Sequence, residues 1–152
     1  MKKRIKSLSV YRSMQADDSS SREAGQGVLN SRTLFHETWD KPVSEIQYDP
    51  SGRVEQQTDY QYDARGFMIR EVLREGDGEV LEERSFEPDG QLRVKKAFRH
   101  YADGSYDQEE FFYDASGQLV KKVVSDDEGV LERQETYEYG EGRLLRETIT
   151  GE

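Results

Sequence analysis

The sequence contains no cysteine, and this absence excludes both a disulfide framework and a thiolate metal site. Histidine is scarce as well: His36 and His100 lie on separate segments, and neither has carboxylates at a recurring metal-ligand spacing. The acidic stretches Glu75–Glu79 and Asp126–Gly129 lack the spacing and the terminal glutamate of an EF-hand loop. We therefore expect no metal ion and no cofactor.

Long apolar runs are also missing. No stretch approaches the roughly 20 apolar residues that a membrane-spanning helix needs. The basic start Met1–Lys6 is followed only by Leu8, Val10 and Tyr11 before Arg12, which is too short an apolar stretch for a signal peptide. We expect a soluble chain without an export signal and, because disulfides are absent, a cytoplasmic location.

The motifs of common catalytic sites are absent too. The sequence has no nucleophile elbow, no phosphate-binding loop and no glycine-rich dinucleotide turn. Adjacent carboxylates such as Glu82-Glu83 and Glu109-Glu110 occur, but neighbouring residues of a strand point to opposite faces and cannot act as an acid–base pair. We expect a protein that is not an enzyme.

Acidic residues are plentiful, so that the formal net charge is −10 at pH 7. This charge disfavours nucleic acid and anionic membranes as partners, and it favours a basic protein. Hydrophobic residues make up only 33 % of the chain, but nine Tyr, six Phe and one Trp supply large side chains for a thin core. The length of 152 residues predicts one folded domain.

The first 30 residues differ in composition from the rest. They begin with basic residues and continue through a polar stretch, Gln15–Ser21, that is typical of disordered segments. We interpret residues 1–30 as a flexible or partner-docking N-terminal arm, and residues 31–152 as the folded β-sheet domain.

Glycines recur every 12–14 residues in this second part. Such spacing is typical of an antiparallel meander, in which each strand takes about eight to ten residues and each turn three or four. Eight turns predict about nine strands, in one curved all-β sheet. The turn glycines are Gly52, Gly66, Gly78, Gly90, Gly104, Gly117, Gly129 and Gly142.

Several of these turns share one sequence motif, in which an aromatic residue and an acid precede a glycine and an apolar residue follows it. The acid can accept hydrogen bonds from its own turn, and the glycine supplies the left-handed conformation that closes it. The aromatic and apolar residues are expected to face each other across the hairpin. The residues assigned to structural turns are Asp49, Gly52, Asp63, Gly66, Gly90, Asp114, Gly117 and Gly142.

A longer repeat is also visible. The segment Val72–Glu82 is echoed by Val123–Glu132, an offset of about 51 residues or four strands. This self-similarity is typical of a chain built by duplication of a supersecondary unit.

The repeated turn motif resembles the YD repeats of Rhs-type proteins. The resemblance covers the chain from about Tyr48 to Leu144, and it implies a β-sheet of hairpins in a short stand-alone member of that family. In large members, long arrays form a shell around a toxic cargo domain; here a sheet-shaped scaffold is expected. The matching segments are Tyr48–Val54, Tyr62–Met68, Phe86–Leu92, Tyr113–Leu119 and the shortened Tyr139–Leu144.

A sheet with one apolar face and few apolar residues needs a cover, which predicts self-association or a protein partner, such as a basic toxin or a larger assembly. Our first hypothesis is a non-catalytic scaffold or adaptor that docks a partner through its sheet face, its edge or its arm. The alternative is an acidic immunity-type inhibitor of a toxin from a polymorphic toxin locus. A lesser alternative is an enzyme or carbohydrate-binding domain that uses the tyrosines. The candidate interaction residues are Trp39, Tyr60, Phe67, Ile69, Phe98 and Phe112.

Overall fold

The computed structural model describes residues 4–12 and 27–151, and all of its regular structure is β-strand. The strands follow one another in chain order in a single sheet, and each pair with a resolved register is antiparallel. The predicted all-β antiparallel meander is therefore confirmed. The strands are β1 (Ser7–Arg12), β2 (Val28–Phe35), β3 (Pro42–Tyr48), β4 (Val54–Tyr62), β5 (Met68–Glu75), β6 (Val80–Pro88), β7 (Val94–His100), β8 (Tyr106–Tyr113), β9 (Leu119–Ser125), β10 (Leu131–Gly140) and β11 (Arg143–Gly151).

The described residues form eleven strands, two more than the predicted nine. The eight glycine-containing turns join β3 through β11, so the additional strands are β1 and β2. The connection between β2 and β3 contains no glycine: the His36 N–H donates to the Lys41 carbonyl at 2.9 Å, and the Thr38 N–H donates to His36 Nδ1 at 3.0 Å. A count of glycines cannot detect this turn.

The N-terminal arm contributes strand residues to the sheet. Ser7–Arg12 forms β1 and pairs with β2, and the predicted boundary after residue 30 falls inside β2. Residues 13–26, which include the polar stretch of the arm, lie outside the described residues.

Contacts group the chain into two units. The first comprises Met1–Gln61 and Glu71–Leu81, and the second comprises Tyr62–Arg70 and Glu82–Glu152. In the first unit Val72 is the buried apolar side chain among the described residues, and in the second the buried ones are Phe67, Ala97 and Val124. The apolar core is thin in both units, as the composition predicts.

Seven turns within the described residues share one hydrogen-bond pattern. The first residue donates its N–H to the carbonyl of the residue four positions later, and the fourth residue donates back to the carbonyl of the first. In the β3–β4 turn the Asp49 carboxylate also accepts from the N–H groups of Ser51, at 2.8 Å, and Arg53, at 3.0 Å. The fourth residue, Gly52, has a φ of 82°. The turns from β5 to β6 and from β9 to β10, which lie four strands apart, both follow this pattern, in agreement with the longer sequence repeat.

The predicted contacts across the hairpins form at three turns. Tyr48 lies opposite Val54, Tyr113 lies opposite Leu119, and Tyr139 of the shortened copy lies opposite Leu144. At the β6–β7 turn, in contrast, Phe86 lies opposite Ala97 and Pro88 lies opposite Val94.

The β6–β7 turn corrects our assignment of Gly90. Asp89 takes the first position, and its carboxylate accepts from Gln91 N–H at 2.8 Å and Arg93 N–H at 2.9 Å. The left-handed residue is therefore Leu92, with a φ of 62°, and Gly90 is not left-handed. The repeated motif predicts that the turn begins at Glu87, but it begins two residues later, at Asp89. The reason is that the short carboxylate of Asp89 reaches these amides.

Gly52→Ala and Gly90→Ala form a matched pair that tests this assignment, because a Cβ at either position meets nothing within 4 Å. The Gly52 variant forces alanine into a left-handed conformation, and we expect a loss of about 1 kcal/mol in unfolding free energy. The Gly90 variant is expected to increase the unfolding free energy by about 0.4–1 kcal/mol, because alanine lowers the entropy of the unfolded chain. Urea denaturation measures both, and equal effects would contradict the turn register.

Candidate protein-binding surface

The six predicted interaction residues lie on six different elements. Trp39 is in the β2–β3 connection and stacks on His36, with ring centroids 4.1 Å apart. On β4, the Tyr60 hydroxyl donates to Glu45 at 2.8 Å. On β7, the half-buried Phe98 contacts the edge of the Tyr106 ring, with centroids 5.7 Å apart. These three side chains have intramolecular ring or hydrogen-bond partners.

The other three differ in exposure. Ile69 on β5 is 37 % exposed, and Phe112 on β8 is 43 % exposed with the Lys121 ammonium 5.5 Å from its ring centroid. Phe67 is only 8 % exposed. The position of Phe67 directly after the β4–β5 turn places it in the core of the second unit, so our assignment of Phe67 to an interaction surface is corrected.

A row of charged side chains covers one face of the second unit. Arg84 on β6 reaches across β7 to Glu109 on β8 at 3.0 Å, and it passes Ala97, which lies opposite Glu109. Lys122 on β9 then lies 3.7 Å from Glu109 and 3.0 Å from Glu135 on β10. We call these four residues, Arg84, Glu109, Lys122 and Glu135, the ionic ladder. The ladder occupies a face on which an alternating apolar pattern would otherwise be expected.

The carboxylate at the end of the ladder is well satisfied. The Glu135 side chain is 9 % exposed, and it accepts from the Tyr137 hydroxyl at 2.6 Å and from Arg133 at 2.9 Å. Burial opposes ionisation of Glu135, but the hydrogen bonds from Tyr137 and Lys122 outweigh it and hold its pKa below the ordinary value. Burial and the same hydrogen bond raise the pKa of Tyr137. The charged state of Glu135 therefore favours the folded sheet.

The opposite face of the second unit also carries polar pairs. Lys96 contacts Glu110 at 2.9 Å, and Ser85 and His100 share a hydrogen bond of 2.8 Å. The expected sheet with one apolar face is therefore replaced, in this unit, by a layer with charged side chains on both faces.

Six of the fifteen large apolar side chains that are exposed among the described residues lie on the two edge strands. Every described residue of β1 and β11 is exposed. Our candidate set contains none of these residues, because we interpret the first segment as part of a flexible or partner-docking arm and the last as the end of the meander. The alternation of Leu8 and Val10 was the available signal. The exposed apolar residues of the edge strands are Leu8, Val10 and Tyr11 in β1 and Leu144, Leu145 and Ile149 in β11.

The acidic β5–β6 turn brings three carboxylates together. Oxygen atoms of Glu75, Asp77 and Glu79 lie within 4.8 Å of one another, and all three residues are exposed. In the part of the chain that the structure describes, no helix is long and apolar enough to span a membrane.

Lys122→Met tests the ionic ladder, because this change removes the cation between two carboxylates while retaining most of the side-chain volume. We expect a loss of about 1–2 kcal/mol in unfolding free energy, since Glu135 is nearly buried and Glu109 partly so. The exposed Lys95→Met on β7 is the control and is expected to change stability by less than about 0.5 kcal/mol. Equal losses in thermal denaturation would show that the ladder contributes nothing.

Asp114→Asn tests the carboxylates that close the turns. The Ser116 hydroxyl and the N–H groups of Gln118 and Ser116 bind the Asp114 carboxylate and lower its pKa from the ordinary 3.8. The stabilisation is therefore present above pH 3.8 and is lost as the pH falls through the lower folded pKa. We expect the difference in Tm between wild type and variant to be largest near pH 6 and to shrink towards pH 2. Asp127→Asn, at an exposed position of the β9–β10 turn, is the control; an Asp114→Asn difference that does not vary with pH would refute the assignment.

Comparison with known proteins does not assign this chain to a family. No family model and no curated protein matches the chain. A chain of the TcdB2-TccC3-Cdc42 crystal structure is similar at 20 % identity with a TM-score of 0.49; the match covers 84 % of this chain and 8 % of that one. A protein of unknown function from Bacteroides fragilis NCTC 9343 is similar at 12 % identity with a TM-score of 0.16, over 94 % of this chain and 92 % of that one. Membership of the YD-repeat family therefore stays a prediction from the repeated turns.

Proposed function

We propose that this chain is a non-catalytic scaffold that binds another protein through the edge strands of its sheet. The observation that carries the proposal is the exposure of apolar side chains on β1 and β11, where Leu8 is 52 % exposed, Leu145 71 % and Ile149 60 %. An exposed edge strand offers unpaired N–H and C=O groups beside these side chains, and such an edge is a template for a further strand.

The sheet faces of the second unit are less suited to binding a partner than the edges are. Ion pairs and hydrogen bonds occupy the ladder face and its opposite, so a partner that covered either would have to desolvate charges that are already paired. Edge pairing satisfies backbone groups without this cost. The proposal does not include catalysis, since the sequence contains no recognisable catalytic motif.

The second candidate is the acidic immunity-type inhibitor, in which acidic side chains bind the basic site of a toxin. The carboxylates of the β5–β6 turn, together with the net charge of −10, favour this candidate. The two candidates differ in the force that holds the partner. Binding through acidic residues weakens steeply with added salt, whereas apolar and backbone contacts at an edge depend on salt only slightly.

Capture of partners on the immobilised chain, from cells that express it, tests the proposal with three variants. Leu8→Lys and Ile149→Lys place a charge on β1 and β11, and Leu131→Lys is the control because Leu131, at the start of β10, is 59 % exposed against 60 % for Ile149. We expect at least one edge variant to reduce capture of a stoichiometric partner about tenfold or more, as measured by quantitative mass spectrometry.

The control variant is expected to retain the partner. Retention of the partner in both edge variants would refute docking through the edges, and elution of that retained partner by moderate salt would then favour the inhibitor.

A further inference from the structure

We propose that the outer edge of β1 binds an acidic extended segment of another protein, which joins the sheet as an additional antiparallel strand. This inference rests on the proposed function and specifies the chemistry of the partner at one edge. It also reverses the expectation from net charge, because this edge is basic although the chain as a whole is acidic.

The ionisable side chains of β1, β2 and residues 4–6 are basic, apart from Tyr11. Residues 4–12 and 28–35, which include β1 and β2, contain no carboxylate, although the chain as a whole carries ten more acidic than basic side chains. An excess of cations on two neighbouring strands raises the local potential above that of the surrounding surface. The cations of these segments are Arg4, Lys6, Arg12 and Arg32.

Alternation along β1 places two of these cations beside the exposed apolar residues. Leu8 and Val10 lie on one face of the strand, while Ser7 and Ser9 lie on the other. The register shift after Val10 skips Asn30 of β2 but no residue of β1, so the alternation continues with Tyr11 on the second face and Arg12 on the first. Lys6 continues the first series, because its carbonyl accepts from the Phe35 N–H at 3.0 Å in register with the strand pair. One face of the edge therefore presents a cation, two apolar side chains and a second cation, at every other residue.

The cations at the two ends of this series, Lys6 and Arg12, have no ion-pair partner within residues 4–12 and 27–151. Arg12 donates instead to the neutral Asn30 side chain at 2.6 Å. Two carboxylates belong to β3 and to the turn that follows it. Asp49 lines a small cavity with Arg12 but accepts from its own turn, and Glu45 on β3 accepts from Tyr60. Both acids thus have other partners.

The backbone of β1 fixes which groups a new strand would bind. Since Lys6 bonds to β2, alternation directs the N–H and C=O groups of Leu8 and Val10 to β2 and those of Ser7, Ser9 and Tyr11 to the outer edge. β1 is the first strand in the sheet order, and among residues 4–12 and 27–151 no strand pairs with that edge. Lys6, Leu8, Val10 and Arg12 would then occupy the pairs without mutual hydrogen bonds, where opposite side chains approach most closely.

The complementary segment has a defined pattern: acid, any residue, apolar, any residue, apolar, any residue, acid. Basic side chains at an edge repel strands of like charge, so the same residues that would attract this segment discourage unselective pairing.

Two synthetic peptides of identical composition test the inference against the full chain by fluorescence anisotropy. Thr-Glu-Thr-Val-Thr-Val-Thr-Glu-Thr places both glutamates on the face of the valines, whereas Thr-Thr-Glu-Val-Thr-Val-Glu-Thr-Thr places them on the opposite face. We expect the first peptide to bind about tenfold more tightly, because only its carboxylates lie opposite Lys6 and Arg12. Lys6→Glu is expected to abolish this preference, and Lys95→Glu on β7, which changes the net charge equally, is expected to preserve it.

Amide hydrogen exchange supplies a second readout that nonspecific charge attraction would not produce. Bound peptide is expected to slow exchange at Ser9 and Tyr11, whose N–H groups point outward, and to leave Leu8 and Val10 nearly unchanged. Equal affinity of the two peptides, no binding of either, or an unaltered preference in Lys6→Glu would each overturn the inference. If the peptides fail while Ile149→Lys still abolishes partner capture, the proposed function stands and only the assignment to β1 is lost.

Discussion

The bond between an aspartate carboxylate and the amides of its own turn is the interaction on which the rest of this structure depends. In the β4–β5 turn, Asp63 accepts from the N–H groups of Arg65 and Phe67, each at 2.9 Å, and Gly66 adopts a φ of 78°. This arrangement fixes where one strand ends and the next begins. Since a shift of one residue would exchange the two faces of a strand, each turn also decides which side chains meet across the sheet.

The thin core makes these local devices more important. Among the described residues only four apolar side chains are buried, and none of the largest is fully enclosed. Cross-strand polar contacts therefore contribute a larger share of the organisation than in a two-layer domain. The ionic ladder is one such set of contacts, since Arg84 on β6 reaches past β7 to Glu109 on β8. For this reason we propose the edges of the sheet, and not its faces, as the surfaces that bind a partner.

The net charge of the chain and the local charge at β1 have opposite signs and act over different distances. The net charge of −10 describes the field far from the chain, and it favours basic partners at long range. On one face of β1, however, the charges are the cations Lys6 and Arg12. At physiological salt, screening limits the electrostatic interaction of exposed charges to about 8 Å. A strand that pairs with β1 would therefore interact more strongly with the local cations than with distant carboxylates.

The sequence by itself determined the hairpin turns and hence the meander, because an aspartate and a left-handed glycine act within five consecutive residues. It failed where the signal was not local in that form: the glycine-free β2–β3 turn went uncounted, and at β6–β7 the position of Gly90 concealed that Asp89 and Leu92 form the turn. Only the tertiary structure decided that Phe67 is buried, that Arg84 reaches Glu109, and that Leu8 and Ile149 are exposed on edge strands. These outcomes depend on strand neighbours that are distant in sequence, and pairing across strands, unlike turn formation, is not encoded in any single segment.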